Sequence, residues 1–307
     1  MATARDYADE WDDLEQVLDD WKVALRGANK APRTVHSYLE SGRRIHAYLV
    51  DTGQPTDLPS ITPAVLRTYF EHELGRGLSA NTVARDYRHL RQLFRYAVMN
   101  ELLEANPLDK VSPIETPETP VPVITDPQLK ALLDTCKSKS FLDRRDEAII
   151  RVLLDCGLRL SELLGMSLDD VDLETHILTV LGKGRRLRGV HYGDKTSTAI
   201  KAYLRVRRHH KYHEADSLWI GDRGPLKMSG VQQMLKRRAL EAGIPPIHPH
   251  QLRHTFAHRW MMAGGNETDL MRLAGWQSRQ MVERYGRSAA DERAQESHRR
   301  LGLGDTV

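Results

Sequence analysis

The stretch NPLDKVSPIETPETPVPVITDP, residues 106–127, decides how this chain is organised. It carries prolines at 107, 113, 117, 120, 122 and 127. Each lacks an amide N–H and turns the residue before it away from helix, so the segment favours extended chain. Periodic, helix-like sequence lies on both sides. The reading is a helical domain over 11–106, a linker over 107–126 and a second domain over 127–307. A chain of 307 residues is long enough for two cores.

On the N-terminal side, Val35, Tyr38, Leu39, Ile45, Tyr48 and Leu49 recur at helical spacing over 34–50, with Pro32 near the start. Further helices are expected over 60–75 and 79–103, after the turns Thr52-Gly53 and Gly75-Arg76-Gly77. On the last of these, Val83, Tyr87, Leu90, Phe94 and Ala97 share one face. Arg85, Arg88, Arg91 and Arg95 share the other, with only Asp86 nearby. So one-sided a stripe points to phosphate contact rather than to solubility alone.

On the C-terminal side, residues 143–156 read as a buried helix. Ile177 to Leu181 is a β-branched run, followed by Gly182-Lys183-Gly184-Arg185-Arg186 and a second short strand over Leu187 to Tyr192. The result is a β-hairpin with a basic tip, in which Arg185 is a second candidate for phosphate contact. Helical periodicity returns over 231–242 and 252–263, and a polar helix with little apolar surface is expected over 289–301. The fold class is therefore mainly α with a small β-hairpin in the second domain.

Hydrophobic residues at 40% and charged residues at 28% describe a folded chain, not a disordered one. Lys and Arg number 45 against 42 Asp and Glu, so the net charge is only +3 and any basic surface must be local. No apolar run approaches the roughly 20 residues of a membrane span, and the acidic N-terminus is unlike a secretion leader. A cytoplasmic location is expected. Cys136 and Cys156 sit in apolar helical patterns and read as core residues, not as a disulfide or zinc framework.

The residues that carry chemistry are Arg159, Lys183, His250 with Arg253, Trp276 and Tyr285. Guanidiniums can grip nonbridging phosphate oxygens and stabilise charge developing on phosphorus. Lysine can protonate a leaving oxygen, histidine can move a proton, and tyrosine can act as nucleophile. A phenol, with a pKa near 10, leaves more readily than an alkoxide, so a tyrosyl phosphoester keeps the bond energy for rejoining. The chain has no G-x-x-x-x-G-K-[ST] loop, and no nucleotide or other cofactor is expected. Taken singly, each of these residues has an ordinary structural reading; their order and spacing change it.

That arrangement resembles the tyrosine recombinases, the family of phage integrases and Xer-type resolvases. Gly157-Leu158-Arg159-Leu160-Ser161-Glu162-Leu163 looks like the first catalytic-arginine box, and Leu181-Gly182-Lys183-Gly184 like the hairpin-lysine motif. His250-Gln251-Leu252-Arg253-His254 looks like the H-x-x-R box and Leu273-Ala274-Gly275-Trp276 like the motif after it, with Tyr285 nine positions on. Ser79-Ala80-Asn81-Thr82-Val83 and Glu104-Ala105-Asn106-Pro107-Leu108 are similar to the family's SAM-like core-binding domain. The resemblance implies that Arg159 and Arg253 clamp the scissile phosphate, Lys183 is the acid for the 5′ oxygen, His250 assists proton transfer and Tyr285 forms the 3′-phosphotyrosyl link. Glu162 supports Arg159. Trp276 stands where many relatives have histidine; its indole N–H can donate but cannot shuttle a proton, which narrows its role to electrostatics and packing.

The resemblance further implies a two-domain C-shaped DNA clamp acting on double-stranded DNA with specific attachment or crossover sites. Recombination would proceed through a Holliday junction in a homotetramer, with accessory DNA-bending or directionality proteins as possible partners and with nucleoid association when bound. The polar terminal helix is expected to dock on a neighbouring protomer, and the chain looks like a compact integrase or a Xer-like enzyme without an arm-binding domain. Rival readings are weaker. A metal-dependent nuclease has only Asp169, Asp170 and Asp172 to draw on, and the His250, His254 and His258 run lacks the glutamate of a zincin helix. A binding-only regulator would lack the nucleophile or an arginine, and a type IB topoisomerase would lack the Xer-like motifs.

Overall fold

Asp13, Thr62, Ser79, Thr125 and Ser140 each stand immediately before a helix and accept a hydrogen bond from a first-turn amide. Helix starts leave those amides without intrahelical partners, which is why short oxygen-bearing side chains mark them. The computed structural model describes residues 13–117, 122–182 and 186–276, together with 278, 282, 290, 294–295 and 298–302. The chain divides into two compact units, Met1–Thr119 and Pro120–Val307. The described part is mostly helical, with small antiparallel sheets only in the second unit.

The first unit is built from α1 (Leu14–Gly27), α2 (Pro32–Asp51), α3 (Pro63–Gly75) and α4 (Ala80–Met99). Their apolar faces close over one core holding Trp21, Ile45, Tyr69, Leu90 and Phe94. The helix expected to begin at residue 60 begins instead at Pro63, after a 3-10 turn over Leu58–Ser60. Pro63 disfavours helix at Thr62, which becomes the cap. The helix expected to reach 103 stops at Met99, because Glu101 takes a left-handed conformation (φ 60°) and the Leu102 amide returns to the Ala97 carbonyl. Leu108 and Val111, in the proline-rich stretch, are buried in the same core, and Tyr87 Oη donates to the Val111 carbonyl at 2.9 Å.

The second unit contains α5 (Asp126–Asp134), α6 (Phe141–Cys156), α7 (Leu160–Leu164), β1 (Val171–Asp172), β2 (Ile177–Leu181), β3 (Leu187–His191), α8 (Asp194–Arg207), β4 (Ile220–Gly221), β5 (Gly224–Pro225), α9 (Met228–Glu241), α10 (Pro249–Met262) and α11 (Glu267–Ala274). The hairpin read from sequence is the β2–β3 pair, running antiparallel from Ile177↔His191 to Leu181↔Leu187. The two-residue β1 adds a third strand, too short to leave a periodic signal. Helix α6 packs against α8 and α10, and its buried face holds Ala148, Ile149, Val152, Leu153 and Cys156. Both cysteines are buried and free.

Charge is also buried here. Asp146, on α6, is fully enclosed and accepts from Arg145 (2.8 Å), Arg237 (2.7 Å) and Arg238 (2.8 Å). Arg238 reaches on to Asp143 at 2.6 Å and to the Thr135 carbonyl at 2.8 Å, tying α6 to α9 and to the end of α5. A carboxylate can be buried this deeply only when paired and hydrogen-bonded. Among the described residues no helix is long and apolar enough to cross a membrane.

Candidate active site

The Gly157-Leu158-Arg159 box is a helix stop followed by a helix start. Gly157 ends α6 in the left-handed conformation (φ 59°), with its Cα packed so closely on the Phe256 ring that a side chain there would collide. Leu158 is buried. Arg159 precedes α7, and its backbone N–H donates to Glu162 Oε2 at 2.9 Å while its guanidinium donates to Glu162 Oε1 at 2.8 Å. The local sequence thus fixes where Arg159 begins its reach.

His250 and Arg253 come from the first two turns of α10, whose residues 252–257 are all buried. Thr255, on the same helix, accepts the Ile124 amide at 3.0 Å, anchoring the start of the second unit to the helix that carries the H-x-x-R box. Arg253 is only 3% exposed, and donates to the carbonyls of Gly157 and Ala274, both at 2.6 Å. Arg159, His250 and Arg253 line one cleft of about 350 Å³, together with Leu158, Leu160, Gln232, His248 and Pro249.

Both arginines of this cleft also bond to the end of α11. The last carbonyls of a helix have no acceptance partner within it and carry partial negative charge. Here three in succession are met by guanidiniums: Leu273 by Arg188 Nε at 2.8 Å, Ala274 by Arg253 and Gly275 by Arg159 at 2.9 Å. Gly275 takes a left-handed φ of 65°, and a Cβ there would lie 3.2 Å from Nη1 of both Arg159 and Arg188. Trp276 follows, buried among Phe256, Met261 and Leu270, with the Arg253 guanidinium 5.4 Å from its ring centroid.

Glu162 is the electrostatic centre of this corner. Arg188 donates to its two oxygens at 3.2 and 2.9 Å, in addition to the Arg159 contacts. Burial pushes the Glu162 carboxyl up, but the hydrogen bonds from Arg188 and the Arg159 backbone, with the Arg188 charge, outweigh it and hold the group below its ordinary range. Lys183, Arg185 and Tyr285 lie outside the described residues; of the helix expected over 289–301, residues 290, 294–295 and 298–301 are described and helical, and the others lie outside. Of the three carboxylates Asp169, Asp170 and Asp172 weighed for a metal, Asp170 accepts the Ser167 amide at 2.7 Å and Asp172 the amides of Glu174 and Thr175, so these two serve as turn residues.

The phage integrase family model matches residues 122–292, and the phage integrase SAM-like domain matches residues 21–113. The chain belongs to the phage integrase family. It is a tyrosine recombinase, an enzyme of site-specific DNA recombination. The recombinase is 36% identical to the tyrosine recombinase XerC of Alcanivorax borkumensis over 250 residues, 80% of each chain. It is 31% identical to XerC 1 of Ralstonia nicotianae, over 71% of this chain and 72% of that one. Its fold matches the integrase of transposon Tn1549 in complex with a circular-intermediate DNA (TM-score 0.76, 21% identity, 94% and 99% of the two chains). It also matches the XerH recombinase bound to palindromic difH (TM-score 0.74, 18% identity, 93% and 84%).

In this recombinase the arginine stripe on α4 is less uniform than its sequence. Arg88 and Arg95 are exposed, whereas Arg91 pairs with Asp109 at 2.9 Å and Arg85 with Asp86 at 3.2 Å. Asp86 belongs to the interior, not to the stripe: it is 1% exposed, held by Ser41 Oγ at 2.8 Å and by the Arg44 guanidinium. It sits three residues after Val83 and four before Leu90, at the edge of the apolar face. Sequence reasoning missed Arg188 altogether. Its signal was strand alternation, since Arg188 shares a face with buried Val190 and so needed a partner there.

Proposed function

We propose that this recombinase cleaves and rejoins DNA through a 3′-phosphotyrosyl intermediate on Tyr285. The observation that carries the reading is the convergence of Arg159, His250 and Arg253 on one cleft of phosphate-accommodating size. A guanidinium is a planar fork of five N–H donors, the geometry that suits two nonbridging phosphate oxygens. In the proposed step the Tyr285 oxygen attacks phosphorus as the P–O5′ bond breaks. The phenolic proton passes toward His250, and the departing 5′ oxygen takes a proton from Lys183. The Arg159–Arg253 pair stabilises the extra charge on the equatorial oxygens, and Trp276 contributes its indole dipole and packing. Attack by a 5′ hydroxyl from the partner duplex reverses the step, without nucleotide hydrolysis.

The α4 arginines and Arg185 would follow the DNA backbone. Two exchanges through a Holliday junction in a homotetramer on paired attachment sites complete the reaction, with accessory DNA-bending or directionality proteins as further partners.

The test is a nicked suicide substrate carrying candidate attachment sites, with wild type compared with Tyr285→Phe on a denaturing gel. A covalent protein–DNA band that disappears in the variant is the expected result. A band that persists places the nucleophile elsewhere, and no band on a site shown to bind makes the chain a binder without this chemistry.

A further inference from the structure

We propose that Arg188 is a positioning residue, clamping the base of the β2–β3 hairpin to the Arg159 centre so that the hairpin tip delivers Lys183 to the departing oxygen. This rests on the reading of Lys183 as the acid. Arg188 stands on β3 opposite Val180 on β2, inside the hairpin and five residues beyond Lys183. Its guanidinium reaches three separate elements at once. It donates to Glu162 on α7, to the Leu273 carbonyl on α11, and packs against Gly182, where a Cβ would lie 3.2 Å from its Nη1.

Gly182 is the last described residue before the tip, and its amide donates to the Arg186 carbonyl at 2.8 Å, closing the two arms of the hairpin. The Gly182 arm at the mouth of the tip therefore lies against the Arg188 guanidinium, and a backbone bond joins it to the other arm. The same Glu162 that receives Arg188 receives the Arg159 amide and guanidinium. One carboxylate thus registers the hairpin against the phosphate-clamping arginine. Neither Leu181 nor Leu187, the cross-strand pair flanking the mouth, can do this, for both are largely exposed.

Leaving-group chemistry separates a positioning role from a merely structural one. A 5′-bridging phosphorothiolate releases a thiolate, whose conjugate acid has a pKa near that of cysteine, about 8.5, and so needs no proton donor to depart. Single-turnover cleavage is measured on oxygen and sulfur versions of one suicide substrate, for wild type, Arg188→Gln, Arg188→Lys and Lys183→Ala. Half-site affinity and thermal unfolding are recorded for each. Arg188→Gln is expected to slow cleavage of the oxygen substrate about tenfold to 100-fold, the scale of misplacing a catalytic group, and to recover on the sulfur substrate. Arg188→Lys keeps the charge but cannot span the three elements. It is expected to show the same substrate-dependent loss at smaller size, and carries the test if the glutamine variant does not fold.

An Arg188 defect equal on both substrates, or no defect, overturns the proposal while a sulfur-rescued Lys183→Ala leaves the underlying reading intact. A Lys183→Ala defect that sulfur does not rescue removes Lys183 as the acid, and the proposal falls with it.

Discussion

Arg159 and Arg253 donate to adjacent carbonyl oxygens, those of Gly275 at 2.9 Å and Ala274 at 2.6 Å. The two side chains therefore act as the C-terminal cap of α11, a task usually given to a single basic residue or a glycine turn. Their separation is set by the spacing of one peptide unit. In the proposed mechanism the scissile phosphate would meet the two guanidiniums at that spacing.

Gly275 is the residue this arrangement tolerates least change in. A methyl group there is strained at positive φ and crowds two guanidiniums. Gly275→Ala is expected to destabilise the second unit by about 1–2 kcal/mol and to slow suicide-substrate cleavage about 100-fold by displacing Arg159. Calorimetry and single-turnover kinetics check both. Normal cleavage in this variant would separate the corner from the reaction.

Glu162 gives a pH signature. Its folded-state carboxyl titrates below the ordinary range. It therefore contributes stability above the unfolded pKa of about 4.3, lost as pH falls through the lower folded value. The difference in Tm between wild type and Glu162→Gln should be largest near neutral pH and shrink below about pH 4. A constant difference across the acid range would contradict the ion-pair role.

The α4 stripe should respond unequally. Arg88→Ala and Arg95→Ala remove exposed cations and are each expected to reduce the salt slope of DNA binding by about one. Arg91→Ala should reduce it less, because Asp109 already holds that guanidinium. Affinity for one site, titrated across salt concentrations, provides the slopes; three equal changes would refute the distinction.

Asp146→Ala leaves three arginines around an emptied buried site. The expected loss is about 3–5 kcal/mol, the cost of breaking a buried pair from one side. Urea unfolding measures it, and a loss below about 1 kcal/mol would mean that the cluster relaxes into water.

Much of this was legible in the sequence because it is local. Periodicity exposed most of the long helices, though not α8, the Ile177–Leu181 run exposed the hairpin, and the spacing of motifs put Arg159, His250 and Arg253 in one set before any geometry was known. What escaped depends on partners far along the chain. Asp146 meets Arg238 across 92 positions, and Arg188 meets Leu273 across 85. No window of neighbouring residues holds both ends of such a contact. Leu108 and Val111 escaped for a different reason: prolines mark where helix is impossible, but say nothing about whether the chain between them packs onto a core.

The three guanidiniums on the end of α11 bear on how this enzyme can change over evolutionary time. Under the proposed mechanism activity and stability draw on the same side chains there, so a substitution that silences one would disturb the other, and a variant inactivated at Arg159 or Arg253 would start its history already weakened. Selection for folding alone would then keep these arginines in place, and their persistence in a descendant would be poor evidence that the descendant still cuts DNA.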